Sequence, residues 1–189
     1  MISLVNGLRE VAATINADER TLRRAASRGA IKCRRPNEYR VVVSDDEREY
    51  LESHWPLLSD LQSTLRTEPS VRLAVLYGSS ARGDDTEESD VDVMVALRDE
   101  KPGDTVRLAS RLRRALGARV DVASLSRVER QSPLLLLQVL NEGRVIADRD
   151  TMWSDLKSRR DAIRQRAKRA RRKQRERTAA ALSEWLGDR

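Results

Sequence analysis

The sequence predicts a mixed α/β domain that is preceded by a small helical unit and followed by a long basic helix. Apolar, β-prone segments alternate with helical segments between residues 71 and 147. Helical spacing dominates before residue 66, and the segment from Thr151 to Leu186 contains neither proline nor glycine. We therefore expect three parts, with boundaries at residues 1–55, 56–150 and 151–189.

Charge is distributed unevenly along the chain, whose formal net charge is +7. Residues 1–43 carry +5, residues 44–150 carry −6 and residues 151–189 carry +8. Basic ends suit polyanionic partners, whereas an acidic middle suits a cation.

Cellular location is also constrained by the sequence. The only cysteine is Cys33, which excludes an intrachain disulfide, and the N-terminus lacks the pattern of a signal peptide. Apolar runs such as Leu134–Leu137 are far too short to span a bilayer. We expect a cytoplasmic protein without membrane attachment.

The N-terminal part shows clear helix boundaries. Helices are predicted over residues 8–15 and 19–27, followed by a hairpin of residues 31–35 with 39–43. A third helix starts at Ser44, with Glu47 at the position of a capping box, and Pro56 is expected to interrupt it before a second stretch to Arg66. His54, the lone histidine, is expected to be an ordinary helix residue.

The later elements follow in alternation. Strands are predicted over residues 71–77, 90–97, 119–125 and 144–147, helices over 104–116 and 132–142, and one uninterrupted helix from 151 to about 186.

A group of carboxylates is the most informative feature. Asp90 and Asp92 are two apart on a strand, so their side chains point to the same side. Like charges repel, and a divalent cation between them removes that cost. Asp121 lies on the next strand, in a position to join them. Three carboxylates on neighbouring strands are what a two-metal phosphoryl transfer requires, and oxygen ligands favour Mg²⁺.

Gly78-Ser79 supplies a candidate phosphate site, because a strand ends there and a short helix begins. The amides at that turn and the Ser79 hydroxyl can contact phosphate oxygens. Arg82 either balances phosphate charge or is an exposed helix residue. An Asp-x-Asp pair alone is more often incidental, so the assignment depends on the whole constellation.

Gly78-Ser79, ten residues and then Asp90-Val91-Asp92 resemble the signature of the DNA polymerase β-like nucleotidyltransferase superfamily. The heptapeptide from Tyr77 to Gly83 resembles its minimal nucleotidyltransferase branch, as does the segment 141–148 at the end of the domain. The resemblance covers roughly residues 57–150, and Asp121 matches the third carboxylate. It implies a mixed-sheet fold, ATP as substrate, two Mg²⁺ ions and transfer of a nucleoside monophosphate to a hydroxyl.

Val11-Ala12, the segment from Thr21 to Arg24, Gly29-Ala30-Ile31 and the segment from Arg34 to Arg40 form a second pattern. Through these features, residues 4–53 resemble the winged helix-turn-helix domains of MerR-like and excisionase-like regulators. A second helix in the DNA major groove and a wing on the phosphates are the expected contacts. The candidate DNA-binding residues are Thr21, Arg23, Arg24, Arg28, Arg34, Arg35 and Arg40. The alternative is a small protein-docking module.

The basic C-terminal segment is predicted to bind DNA, RNA or an acidic protein surface, and the sequence does not distinguish among them. The minimal nucleotidyltransferase resemblance further implies an antitoxin that adds AMP to a HEPN-type toxin, with DNA binding for autoregulation. One rival is a transferase acting on tRNA or a small molecule. Another is a non-catalytic regulator that senses nucleotide.

Overall fold

The computed structural model describes residues 6–37 and 40–187. Its N-terminal unit contains β1 (Asn6–Gly7), α1 (Leu8–Thr14), α2 (Glu19–Arg28) and β2 (Val42–Val43), with β1 and β2 antiparallel. Both predicted helices are confirmed. The Asp18 side chain accepts a hydrogen bond from the Thr21 amide at 2.9 Å, and Gly29 ends α2 in the left-handed conformation, at φ 95°.

The predicted hairpin is wrong in its extent. Within the described part of the unit, residues 31–35 contribute one isolated bridge, between Arg34 and Val42, and no strand. Tyr39, the predicted start of the second hairpin strand, lies outside the described residues. The Lys32 amide donates to the Glu47 carboxylate at 2.8 Å, so it is not available to a strand partner.

The helix α3 (Asp45–Arg66) starts as predicted, since the Ser44 hydroxyl accepts from the Glu47 amide at 3.3 Å. The capping-box prediction is wrong for the Glu47 side chain, which is buried against Lys32 and the sheet rather than returning to the helix start. Pro56 does not interrupt α3 either, because it lies on the exposed side while buried leucines hold the helix on both sides of it. The expected boundary at residues 55/56 therefore falls inside one helix.

The central sheet has four strands in the order β5-β4-β3-β6. They are β3 (Val71–Tyr77), β4 (Val91–Leu97), β5 (Val120–Ser124) and β6 (Arg144–Asp148). β3 is antiparallel to both neighbours, whereas β4 and β5 are parallel. The mixed sheet that the sequence predicts is confirmed.

Helices cover both faces of this sheet. They are α4 (Ser79–Arg82), α5 (Asp104–Leu116), α6 (Leu125–Gln131), α7 (Pro133–Glu142), α8 (Met152–Ser158) and α9 (Arg160–Gly187). One core contains Val91, Val93 and Val95 together with apolar residues of α1, α2, α3 and α5. The other contains Tyr77 and Met94 with residues of α6, α7, α8 and α9. The N-terminal unit thus shares a core with one face of the sheet.

The C-terminal segment is not the single helix that the sequence predicts. It is divided at Arg159, between α8 and α9. The two helices pack on different elements, α8 on β3 and β6 and α9 on α7. The Asp148 carboxylate also accepts from the Met152 and Trp153 amides at 3.0 and 3.2 Å, which fixes the start of α8 independently of α9. Sequence spacing gives no sign of this change in packing partner.

A buried ion pair connects α3 to the sheet, and its arginine also contacts the N-terminal unit. The Arg144 guanidinium donates to both oxygens of Glu47, at 2.6 and 3.0 Å, and its side chain is 2% exposed. It also donates to the Ala30 carbonyl at 3.2 Å and to the Ala81 carbonyl at 2.7 Å. The Tyr50 ring lies 3.4 Å from the guanidinium carbon. Because the pair is desolvated and fully hydrogen-bonded, removal of one partner leaves a buried charge.

We predict that Arg144→Ala lowers the free energy of unfolding by about 3–5 kcal/mol, the usual cost of an unpaired buried charge. Urea denaturation followed by circular dichroism measures this loss. Arg111→Ala is the matched control, because Arg111 is 62% exposed and pairs with Glu68 at the surface. The control is expected to lose at most about 1 kcal/mol. Equal losses in the two variants contradict the role assigned to the buried pair.

Candidate active site

Asp92 and Asp121 are brought together by the parallel pairing of β4 and β5. The register places Asp92 directly opposite Asp121, and adjacent strands lie about 4.8 Å apart. Burial, then the charges of Asp121 and Asp90, raise the pKa of the Asp92 carboxyl above its ordinary value. The strand geometry therefore concentrates negative charge at this end of the sheet.

Asp90 lies just before β4 and has a different partner. Its carboxylate is 2.7 Å from the Arg119 guanidinium, and both side chains are at least half exposed. Arg119 and Asp90 line a cavity of about 390 Å³ together with Asp121 and Arg113. Within residues 6–37 and 40–187, no three His, Cys, Asp or Glu side chains lie close enough to hold a metal ion together. The structure thus brings two of the three predicted carboxylates together and pairs the third with an arginine.

Gly78 allows the β3 end to approach Asp92 closely. Its φ of 76° lies in the region that favours glycine, and a Cβ atom there would lie 2.4 Å from the Asp92 Oδ2 atom. A larger residue would push the carboxylate away. The turn predicted to contact phosphate is therefore in direct contact with the Asp92 carboxylate.

Glu142, on the last turn of α7, is a site residue that the sequence analysis missed. Its carboxylate accepts from the Gly78 amide at 3.1 Å and from the Arg82 Nη1 atom at 3.1 and 3.2 Å. Arg82 Nε also donates to Asp84 at 3.1 Å. Arg82 is therefore held at the site rather than being only an exposed helix residue. The sequence offered no stronger signal for Glu142 than its place just before Gly143.

Tyr77 and Arg119 were also missed. Burial and the charges of Asp92 and Asp121 raise the pKa of Tyr77 to about 12, so its hydroxyl stays neutral beside the acidic pair. Arg119 lies two residues before Asp121, immediately before β5, and this spacing is the signal that the sequence offers.

The short helix after Gly78 is supported from α3. The Tyr50 hydroxyl donates to the Ser80 carbonyl at 2.8 Å, and Arg144 holds the Ala81 carbonyl. His54 stacks on Tyr50, with ring centroids 4.4 Å apart, and its Nε2 atom lies 2.7 Å from Asp85. Asp85 thus anchors the loop that follows α4. Contacts from the N-terminal side position the backbone of the candidate phosphate site.

The candidate DNA-binding residues form a separate surface. The exposed members are Arg23, Arg24, Arg34, Arg35 and Arg40. On α2, Arg20, Arg23, Arg24, Ser27 and Arg28 line a groove of about 500 Å³. The Thr21 hydroxyl is tied to Asp18 at 3.1 Å, and Arg35 donates to Ser27 at 3.0 Å. Burial, then the charge of Arg24, lower the pKa of Arg28.

None of the helices in the described part of the chain has the length and apolarity needed to cross a bilayer.

Comparison with known proteins agrees with this geometry. Residues 59–152 match the family model described as polymerase beta, nucleotidyltransferase. A protein of Methanocaldococcus jannaschii, named as a putative protein adenylyltransferase, is 38% identical over 73 residues, which are 38% of this chain and 75% of that protein.

Solved structures share the fold. A chain from a toxin–antitoxin crystal structure with AMP-PNP has a TM-score of 0.54 and 22% identity, and the match covers 65% of this chain and 98% of that one. A chain from the toxin–antitoxin MntA–HepT has a TM-score of 0.51 and 20% identity, covering 66% and 98%. With the carboxylate strands, the adjoining glycine turn and the relative's identity in agreement, this chain belongs to the polymerase β nucleotidyltransferase family and is a nucleotidyltransferase.

Proposed function

We propose that the chain transfers AMP from ATP to a hydroxyl group of a partner protein, with Asp90, Asp92 and Asp121 as its catalytic carboxylates. The observation that carries the proposal is the register that sets Asp92 beside Asp121, in contact with the Gly78 turn. A protein acceptor is supported by the relative that is 38% identical over 73 residues and is named as a putative protein adenylyltransferase.

Mg²⁺, as two ions, fits the donor set. The three carboxylates offer only oxygen ligands, and Asp121 and Asp90 place negative charge around the half-buried Asp92 that a cation would neutralise. Asp92 and Asp121 would hold the ions together with Asp90, whose carboxylate would first have to leave Arg119. When bound, Mg²⁺ lowers the pKa of an attacking hydroxyl and neutralises a leaving pyrophosphate.

The surrounding residues bind and orient the nucleotide in this proposal. Gly78 leaves space beside Asp92, and the Ser79 hydroxyl and Arg82 guanidinium contact the phosphates. Tyr77 contributes a neutral wall, which avoids a further negative charge near the triphosphate. The Ser80 and Ala81 carbonyls are held by Tyr50 and Arg144, so the turn does not need to be ordered by the nucleotide.

We propose a HEPN-type toxin as the acceptor, so that the chain acts as an antitoxin. The sequence resemblance to minimal nucleotidyltransferases implies this partner, and both fold neighbours come from toxin–antitoxin structures. We propose in addition that the N-terminal unit is a winged helix-turn-helix that binds DNA and regulates its own operon. Leu22, Ala25 and Ala26 bury one face of α2, and arginines line a groove on its opposite face. This arrangement supports a role of α2 in facing DNA.

The basic part of α9 is a second candidate contact for a polyanion. Ile163 and Ala167 are buried against the body of the protein, whereas the charged side chains from 168 to 177 are exposed. We propose that this stretch contacts nucleic acid or an acidic surface of the partner protein.

The first test is label transfer from ATP labelled at its α-phosphate. We expect the protein with Mg²⁺ to label the co-expressed product of the adjacent gene. Asp90→Ala and Asp92→Ala are expected to slow labelling at least about a hundredfold, because each removes transition-state stabilisation worth several kcal/mol. Asp60→Ala, at an exposed position of α3, removes an equal charge and should keep the rate.

The outcomes separate the rivals. Full activity in Asp92→Ala contradicts the site assignment. Labelled RNA in place of labelled protein replaces the proposed acceptor with the nucleic acid rival. ATP binding with no labelled acceptor in a lysate favours the nucleotide-sensing rival over catalysis.

The second test uses the repulsion between the neighbouring carboxylates of Asp92 and Asp121. Because the folded pKa of Asp92 is raised, its contribution to stability is present below the unfolded pKa and is lost as pH rises through the folded pKa. Asp92→Asn is therefore expected to raise the melting temperature at pH 7.5. It should also abolish the stabilisation that MgCl₂ gives the wild type. Differential scanning fluorimetry measures both, with Asp60→Asn as control, and a lower melting temperature for Asp92→Asn contradicts the prediction.

The third test concerns DNA. In fluorescence anisotropy with a duplex from its own promoter, Arg23→Ala with Arg24→Ala should weaken binding at least about tenfold and reduce the salt slope by about 2, as expected for two lost phosphate contacts. Arg107→Ala with Arg111→Ala, both on α5, makes the same change in charge and should have no such effect. Undiminished binding by the α2 variant removes the recognition-helix assignment.

A further inference from the structure

The Glu142 carboxylate contacts the two groups to which the phosphate role is assigned. Oε1 accepts from the Gly78 amide at 3.1 Å, and both oxygens accept from Arg82, at 3.1 and 3.2 Å. Gln138, one turn earlier on α7, donates to Oε1 at 2.8 Å. The Glu142 side chain is only 16% exposed, so these contacts are its main environment.

This position is unfavourable for the helix that carries the carboxylate. Glu142 is the last residue of α7, where the helix dipole disfavours negative charge. Its charge also contributes to raising the pKa of Asp92, so it adds to the repulsion within the acidic site. The donors at Gly78 and Arg82 offset these costs. Helix stability therefore does not explain why a carboxylate is placed here.

The groups that Glu142 satisfies are those that bind phosphate in proteins generally. A backbone amide at a glycine turn and an arginine guanidinium both favour an anionic oxygen acceptor. A carboxylate with two oxygens presents the same acceptor pattern as the edge of a phosphate. The Gly78 amide and the Arg82 guanidinium can therefore bind either the Glu142 carboxylate or a phosphate group.

We propose that Glu142 competes with the nucleotide for the same donors. Glu142 must release the Gly78 amide and the Arg82 guanidinium before the nucleotide phosphates can bind them. The inference rests on the proposed function, since it assumes that phosphates bind at this turn. Glu142 thereby sets the affinity for nucleotide. Asp84, which holds Arg82 through Nε, keeps the guanidinium near the turn during the exchange.

The experiment is isothermal titration calorimetry of the full chain with α,β-methylene-ATP in MgCl₂ and, separately, with inorganic tripolyphosphate and with adenosine. Glu142→Gln is expected to lower the Kd for the first two ligands at least about threefold, because a charged competitor for charge-assisted hydrogen bonds is removed. Binding of adenosine should not change, because adenosine has no phosphate.

Two further variants keep the test decisive. Glu129 lies on α6 and forms a surface ion pair with Arg159. Glu129→Gln removes the same charge as Glu142→Gln and should leave every Kd unchanged. Gln138→Leu removes only the amide that steadies Glu142, and it should tighten phosphate binding by a smaller factor. This variant carries the test if Glu142→Gln is less stable in thermal melts.

The outcomes distinguish this inference from the proposed function. If the wild type binds α,β-methylene-ATP and Glu142→Gln binds it equally or more weakly, the competitor role is overturned while the nucleotide site stands. If neither protein binds it, both the site and the competitor role fail. Tightening confined to Glu142→Gln and Gln138→Leu supports the inference.

Discussion

The buried contact between Arg144 and Glu47 determines how the parts of the molecule fit together. One guanidinium, on the edge strand β6, holds α3 through Glu47 and the N-terminal unit through the Ala30 carbonyl. It also holds the short helix after Gly78 through the Ala81 carbonyl. Because this charge is removed from water, it must keep all of these partners or lose stability. The same interaction that joins the N-terminal unit to the sheet therefore fixes the turn beside the carboxylates.

In the candidate site, unlike the Arg144–Glu47 pair, the neighbouring charges of Asp92 and Asp121 repel each other. The parallel pairing of β4 and β5 forces Asp92 beside Asp121, and burial increases the cost of charging Asp92. Arg119 and Arg82 lie at the two ends of this acidic group, one on Asp90 and the other on Glu142. In the proposed function, the Asp90–Arg119 and Glu142–Arg82 ion pairs are exchanged for a cation and a polyanionic substrate.

Sequence reasoning located the strands and the two aspartates well because these features are local. Alternating valines around Asp92 fix the strand, its direction of burial and the side of the carboxylates. Sequence reasoning failed where a contact with a residue far along the chain decides the local structure. The Glu47 side chain leaves its helix for Arg144, which is 97 residues away, and Pro56 is tolerated because the packing of α3 extends to both sides of it. Glu142 and Arg119 become site residues only when the sheet assembles. The roles assigned to Asp90, Asp92 and Asp121 remain proposals, and so does DNA binding by α2.

The positions of metal and nucleotide can be determined from a crystal structure of the full chain with α,β-methylene-ATP and Mn²⁺, with anomalous data at the manganese edge. We expect Mn²⁺ bound by Asp92 and Asp121, with Asp90 turned from Arg119 toward the metal and the phosphates on the Gly78 turn. Nucleotide or manganese bound elsewhere, with the Asp90–Arg119 and Arg82–Glu142 pairs intact, would contradict this expectation.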